Sequence, residues 1–421
     1  MKRLLPLILI AAAISCGQKA AQPQPDIEYA QFFTDSTLRL DYVFCGDAHH
    51  QAIYLQSVSK TGVWAGRRDN LEAPLLAGNG QIRVIDSASG WVLYSNSFST
   101  LFQEWQSYPE AKRVQRAWEN SFLVPFPKDS VDIEIVLFDI HQKESAHMRH
   151  PLDPSDILIR VQSNEGVNYR TLGEEKALDK AVDVVILSEG YTAAEEDKFW
   201  ADAARARKAI LSHEPFTSRA DDFCFRAVFS PSLDSSPSVP HDGVWNRTTA
   251  SSHFDTFYSP RYLTTSSVQD VYNAIGNVSF EQIIVLANTP VYGGGGIFNS
   301  LTIMGSDHPT FNQVLVHEFG HAFGGLGDEY AYADEQDNMY PADTEPWEPN
   351  ITTLKDFGSK WQDLVDSGEA GLYEGAGYQL HGVYRPAEDC RMKTNQCKSF
   401  CPVCTRAINR AIDFYTKTSK E

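Results

Sequence analysis

Two histidines four residues apart, with a glutamate beside the first, stand in the stretch VLVHEFGHAFGGLGDEY, Val314 to Tyr330: His317, Glu318 and His321. A spacing of four places both imidazoles on one face of a helix, close enough to share a cation. Glu318 lies beside them, where a carboxylate can hold a water and take its proton. The pattern suits zinc-assisted hydrolysis, in which the ion takes three protein ligands and keeps one position open. The metal lowers the pKa of a water toward ~7, so that a nucleophile is available at neutral pH. One catalytic Zn2+ is the cofactor this pattern implies.

A familiar extension of the pattern puts the third ligand six residues past the second histidine, and here that residue is Gly327, which has no side chain. Gly324, Gly325 and Gly327 end the helix and let the backbone reverse. Asp328 follows the reversal and offers a carboxylate, so it is expected to be the third ligand. Glu329 is the next candidate, and Glu335 or Glu345 would serve if the ligand came from a later helix.

The elements that must hold these groups follow from periodicity. After Asp179 strands alternate with helices: AVDVVILSEGY is a continuous apolar strand, of the kind buried on both faces. AAEEDKFWADAARARKAILSH and SSVQDVYNAIG read as helices, and FCFRAVFSP and FEQIIVLANTP as further strands. HPTFNQVLVHEFGHAFGG is a helix with Pro309 in its first turn. Phe311, Val314, Leu315, Val316, Phe319, Ala322 and Phe323 make it apolar nearly all round, so its histidines belong to the domain interior. From about Ile27 to Gln162, by contrast, short runs such as LRLDYVFCG, GQIRVID and VDIEIVLFDI alternate between Gly, Asn, Asp and Ser clusters, as in a β-sandwich. Trp64, Trp91, Trp105 and Trp118 in that half are of the type that stacks on sugar, although core packing is the commoner fate.

The start of the chain speaks to location. Lys2 and Arg3 precede an apolar run, Leu4 to Ile14, too short to cross a bilayer as a helix, which suits a signal peptide. It ends in AISC, resembling the lipobox of bacterial lipoproteins, with Cys16 as the expected lipidated residue. The polar, Pro- and Gln-rich residues 17–28 suit a tether from a membrane anchor. The expected location is therefore that of an exported bacterial lipoprotein, at the outer membrane, on the cell surface or facing the periplasm. Acidic residues outnumber basic ones, 55 to 36, which argues against a nucleic-acid partner.

HEFGHAFGGLGDEY, GLYEGAGYQLHGVYRP, CRMK and FCPVC occur in that order and together resemble the IgA-peptidase family of bacterial zinc metallopeptidases. The resemblance covers about Asp179 to Tyr415, and the front half is similar to the N-terminal domain found with that family. It implies a zincin fold, a secreted or surface location and cleavage of peptide bonds, with the substrate left open. A surface binding protein that keeps the site without using it, and an amidase of cell-wall peptides whose sandwich grips glycan, are the competing functions. The intact Glu318 argues against the first. By the resemblance, Met392 is the apolar floor beneath the zinc, with Met339 as rival. Tyr384, Arg385 and Tyr378 are candidates for stabilising the oxyanion. The strand IFNSLTIM, through Ile297, Asn299 and Leu301, is the candidate for pairing with an extended substrate, and Gly293 to Gly296 could let its rim move.

Apart from Cys16 there are six cysteines, four of them between Cys390 and Cys404. An exported chain makes disulfides the expectation for Cys390, Cys397, Cys401 and Cys404, with a four-cysteine zinc site as the alternative. Cys45 and Cys224 are expected in different domains. The whole reads as an α+β chain of two domains, a β-sandwich over 29–165 and an α/β zincin-type metallopeptidase domain over 175–421.

Overall fold

The computed structural model describes Gln24 and residues 26–163, 166–332 and 339–417. The expected signal peptide, Cys16, most of the expected tether and Glu335 lie outside the described residues.

Alternation in the front half becomes two facing sheets. After one helical turn, α1 (Tyr29–Phe32), come β1 (Phe33–Gly46), β2 (Gln51–Val63), β3 (Gly80–Asp86) and β4 (Val92–Phe98). A short helix, α2 (Leu101–Trp105), leads to β5 (Arg116–Pro127), β6 (Val131–Phe138), β7 (Glu144–Leu152) and β8 (Arg160–Val161). One sheet runs β5-β1-β2-β8 and the other β4-β3-β6-β7. Leu38, Leu40, Tyr42 and Phe44 of β1 meet Ile82 and Val84 of β3 and Ile133 and Ile135 of β6 in the core between them. Trp64, Trp105 and Trp118 are buried in this same core, which leaves them no face for stacking on sugar, and Trp91, partly buried, packs against it. Each indole is worth more as buried apolar surface.

The second half carries a six-stranded sheet. Its strands are β9 (Asn168–Thr171), β10 (Val182–Glu189), β11 (Phe223–Phe229), β12 (Gln282–Ala287), β13 (Gly294–Ile297) and β14 (Leu301–Gly305), in the order β13-β14-β12-β10-β11-β9. The inner four are parallel, and β13 and β9 close the edges antiparallel. Every residue of β10, β11, β12 and β14 is buried, because helices cover both faces. On one face α3 (Glu196–Leu211), α5 (Phe311–Gly324) and α7 (Pro402–Thr416) share a core through Phe199, Ile210, Leu315, Phe319 and Ile408. On the other lies α4 (Val268–Ile275), with Val271 and Ile275. A short α6 (Gln362–Asp366) and the hairpin β15 (Tyr373–Ala376) and β16 (Gln379–Arg385) complete the domain. Pro309 falls just before α5 rather than in its first turn.

The outer face of β1 explains how the halves meet. Arg39 and Asp41 are charged yet buried, joined at 2.8 Å, and Arg39 Nη1 donates to Asn273 Oδ1 of α4 at 2.9 Å. Ser57 and Ser121 donate to the Asp41 carboxylate at 2.7 and 2.6 Å, so the buried charges are paired and hydrogen-bonded. The sandwich is thereby fixed against the second half.

IFNSLTIM is not the single edge strand expected from the sequence. Asn299, with φ of +49°, reverses the chain, and the segment is split between β13 and β14. Only Ile297 belongs to the edge; Asn299 is tied by its side chain to the Ser97 carbonyl at 2.8 Å, and Leu301 is buried in the sheet interior. Of the glycines Gly293 to Gly296, read as a movable rim, Gly294 to Gly296 are themselves the edge strand. Among the described residues no helix is long and apolar enough to cross a membrane.

Candidate active site

The buried helix α5 presents His317, Glu318 and His321 to a cleft of ≈ 1220 Å³ between the two halves. His317 Nδ1 donates to the Arg391 carbonyl at 2.9 Å and His321 Nδ1 to the Leu326 carbonyl at 2.5 Å. Carbonyls only accept, so each Nδ1 carries a proton, which leaves each Nε2 facing the cleft as the atom that would bind a cation. At the end of α5, Gly325 takes a left-handed conformation, φ +61°, and Leu326 N–H bonds back to the Gly320 carbonyl. That reversal brings Asp328 beside the two histidines.

The three ligand atoms converge. The two Nε2 atoms lie 3.1 Å apart, and Asp328 Oδ1 is 3.1 Å from His317 Nε2 and 3.2 Å from His321 Nε2. A tetrahedral ion with bonds of about 2.0–2.1 Å sets its ligands roughly 3.3 Å apart. Buried Oδ1 has no aligned hydrogen bond although both nitrogens are so near, and the three atoms face one shared point. The donor set, two imidazoles and a carboxylate, is one that zinc takes. The other carboxylate oxygen, Oδ2, accepts a short hydrogen bond from Tyr378 OH.

Protons compete with a cation for this site. Burial works against a charged His321, but the Asp328 carboxylate beside it lifts the imidazole to about 9. His317 is raised in the same way, against its own burial. Burial alone would raise Asp328; the paired histidines outweigh it and hold the carboxyl well below the usual range. Glu318 is raised, chiefly by burial, with the histidines pulling the other way, which suits a proton acceptor. Its side chain runs along β13, where a Cβ added to Gly294 would lie 3.4 Å from Glu318 Cγ.

The remaining sequence candidates fall in different places. Tyr378, Ile297 and Met339 line the cleft. Tyr384 does not; it pairs through its backbone with Thr352. Arg385 spends its guanidinium on the carbonyls of Glu374, Gly375 and Ala387. Met392 is fully buried with its sulfur against Gly320 of α5, between the two histidine positions. Glu345 accepts from Asp356 N–H at 3.0 Å, remote from the histidines. Glu329, fully buried, turns away from Asp328 toward the cysteines.

The expected disulfides are absent: all six described cysteines are free thiols. Cys390, Cys401 and Cys404 gather around Glu329, and the sulfurs of Cys390 and Cys404 stand 3.8 Å apart. Cys45 and Cys224 lie in separate domains, as expected.

Sequence reasoning missed two further groups. Glu104 of α2 reaches the cleft from the sandwich and accepts from Tyr262 OH at 2.6 Å; burial pushes its carboxyl up to about 7. Asn350, fully buried, clamps Gly327 through both backbone groups, at 2.7 and 2.9 Å, and donates to Glu329 Oε1 at 2.9 Å. Neither has a local signal, since each acts on residues distant in sequence.

Comparison with known families places this architecture. The description IgA peptidase M64 matches residues 172–370 and 366–412, and that of the peptidase M64 N-terminus matches residues 28–149. The chain belongs to the IgA peptidase M64 family. No curated protein matches it. As an M64 peptidase the chain is a hydrolase of a metallopeptidase family, acting on protein or peptide. The M64 N-terminal unit corresponds to the sandwich whose Glu104 enters the cleft.

Proposed function

We propose that this M64 peptidase is a zinc-dependent endopeptidase, with His317, His321 and Asp328 as ligands and Glu318 as general base. The convergence of the three ligand atoms within 3.2 Å of one another carries this reading. A zinc ion held by these residues would supply a Lewis acid for the scissile carbonyl and for a water. Glu318, its carboxyl raised by burial, takes the proton of the attacking water and delivers it to the leaving amine. Tyr378 lines the cleft and gives its one hydroxyl proton to Asp328 Oδ2, which orients that carboxylate toward the histidines. The cleft exceeds the roughly 300–1,000 Å³ of small-molecule pockets, and its wall includes edge strand β13, which can add an extended peptide as a further strand. On the same reading the chain is exported and tethered through Cys16, and its substrates are extracellular or periplasmic proteins.

Zinc analysis of Asp328→Ala tests the ligand set. The variant is expected to lose about one equivalent of zinc per chain; zinc retained as tightly as in the parent would overturn Asp328 as third ligand. Cleavage profiles on a degenerate peptide library and on intact immunoglobulin separate a selective protease from a cell-wall amidase.

A further inference from the structure

The cysteine-rich end of the chain builds a second point of convergence. We propose that Glu329, Cys390, Cys401 and Cys404 form a structural zinc site that braces the catalytic one. All four are buried, and one ligand atom from each lies within 4.8 Å of the others. Cys390 Sγ and Cys404 Sγ are 3.8 Å apart, the edge of a tetrahedron with Zn–S bonds of about 2.3 Å. Glu329 Oε1 lies 3.1 Å from Cys404 Sγ and 3.9 Å from Cys401 Sγ. Those values bracket the roughly 3.6 Å that mixed oxygen and sulfur ligands take around zinc. Glu329 is fully buried, and its Oε2 has no hydrogen-bond partner, an orphan acceptor on the carboxylate that reaches the thiols through Oε1. Cys397, half-buried beside the Ser399 carbonyl, stands outside the group, so the fourth ligand is a carboxylate and not the fourth cysteine.

The backbone is arranged for anionic sulfur. Met392 N–H and Cys401 N–H point at Cys390 Sγ, at 3.5 and 3.3 Å, and Cys404 N–H points at Cys401 Sγ at 3.4 Å. Cys401 is also the N-cap of α7, where the helix end favours negative charge. Asn350 donates to Glu329 at 2.9 Å and fixes its orientation. Three thiolates and a carboxylate leave a divalent ion with two surplus negative charges, the same as a four-cysteine zinc site, and these donors offset them. Soft sulfur ligands in a closed tetrahedral set favour zinc over calcium or magnesium. Binding forms three Zn–S bonds and one Zn–O bond and releases to solvent the protons that the thiols and the carboxyl hold, with no oxidant or reductant.

The site joins three segments: the chain after α5, the turn Cys390 to Met392 and the start of α7. Glu329 is the neighbour of Asp328, and its N–H donates to the Met392 carbonyl at 2.9 Å. Arg391, between two members of the turn, supplies the carbonyl that orients His317. An ion held here therefore fixes the backbone on which the catalytic ligands stand.

Zinc counting by mass spectrometry and zinc X-ray absorption on the whole protein test the proposal. The parent is expected to hold two zinc ions, and His317→Ala with His321→Ala to keep one, in a shell dominated by sulfur at about 2.3 Å. One zinc in the parent and none in the double variant would overturn the second site and leave the catalytic reading standing. One zinc in each would sustain the second site and overturn the catalytic one. If the double variant does not fold, the averaged shell of the parent decides: three sulfurs over two ions support the proposal, and a sulfur-free shell ends it. Glu329→Gln, nearly isosteric, should release the sulfur-bound ion faster to chelator; a disulfide found among Cys390, Cys401 and Cys404 would refute the site.

Discussion

Gly296→Ala is the substitution whose consequence the structure makes most definite. Gly296 lies on β13, the edge strand packed against the catalytic helix α5. A Cβ at this position would stand 2.1 Å from the Glu318 carbonyl oxygen and 3.0 Å from His321 Cβ, both on the helix that carries the site. Ordinary contact begins near 3.4 Å, so strand and helix must part by more than 1 Å. Overpacking of this kind costs about 1–3 kcal/mol, and in a domain of this size lowers Tm by roughly 2–12 °C. Displacing Glu318 and His321 by about 1 Å lowers kcat/KM on the order of 10²-fold. The assay is kcat/KM on a quenched-fluorescent peptide, read beside a thermal melt. Gly358→Ala is the control, because no heavy atom lies within 4 Å of a Cβ there and it should match the parent. A Gly296→Ala protein with the parent's kcat/KM and Tm would refute the idea that this close approach positions the general base.

Two further outcomes follow from the site. Tyr378→Phe removes the donor to Asp328 Oδ2, so zinc affinity should fall about 10–100-fold in a competitive chelator titration. Metal binding should also release protons. Zinc displaces the proton that His321 holds with a pKa of about 9, so apparent affinity weakens as pH falls below that value, about tenfold per unit per proton. Calorimetry at pH 7 in buffers of different ionisation enthalpy would show at least one proton released; none would contradict the charged state of His321.

Sequence legibility varied with the distance over which a feature acts. Helix α5 was legible because its apolar residues and its histidines obey one helical period. Asp328 was legible because three glycines announce a reversal, and Gly325 performs it with φ of +61°. The edge strand was not, because glycines carry no side-chain alternation and read as flexible, whereas they are there to let α5 approach. Glu104 was invisible for a different reason: a lone glutamate in a short helix gains meaning only when the sandwich swings it into a cleft built by the other half. The cysteines show where general expectation misleads. Compartment pointed to disulfides, but spacing along the chain could not reveal that Glu329 stands among three of the sulfurs.

The most direct test of the central claim is peptide cleavage by Glu318→Gln with zinc counted in the same preparation. Glu318 touches no ligand position, so its isostere should keep the parent's zinc content and melting temperature. General-base catalysis contributes about 10²–10⁴-fold, and the account predicts a loss of kcat within that range. A Glu318→Gln protein that holds its zinc and cleaves as fast as the parent would contradict the mechanism.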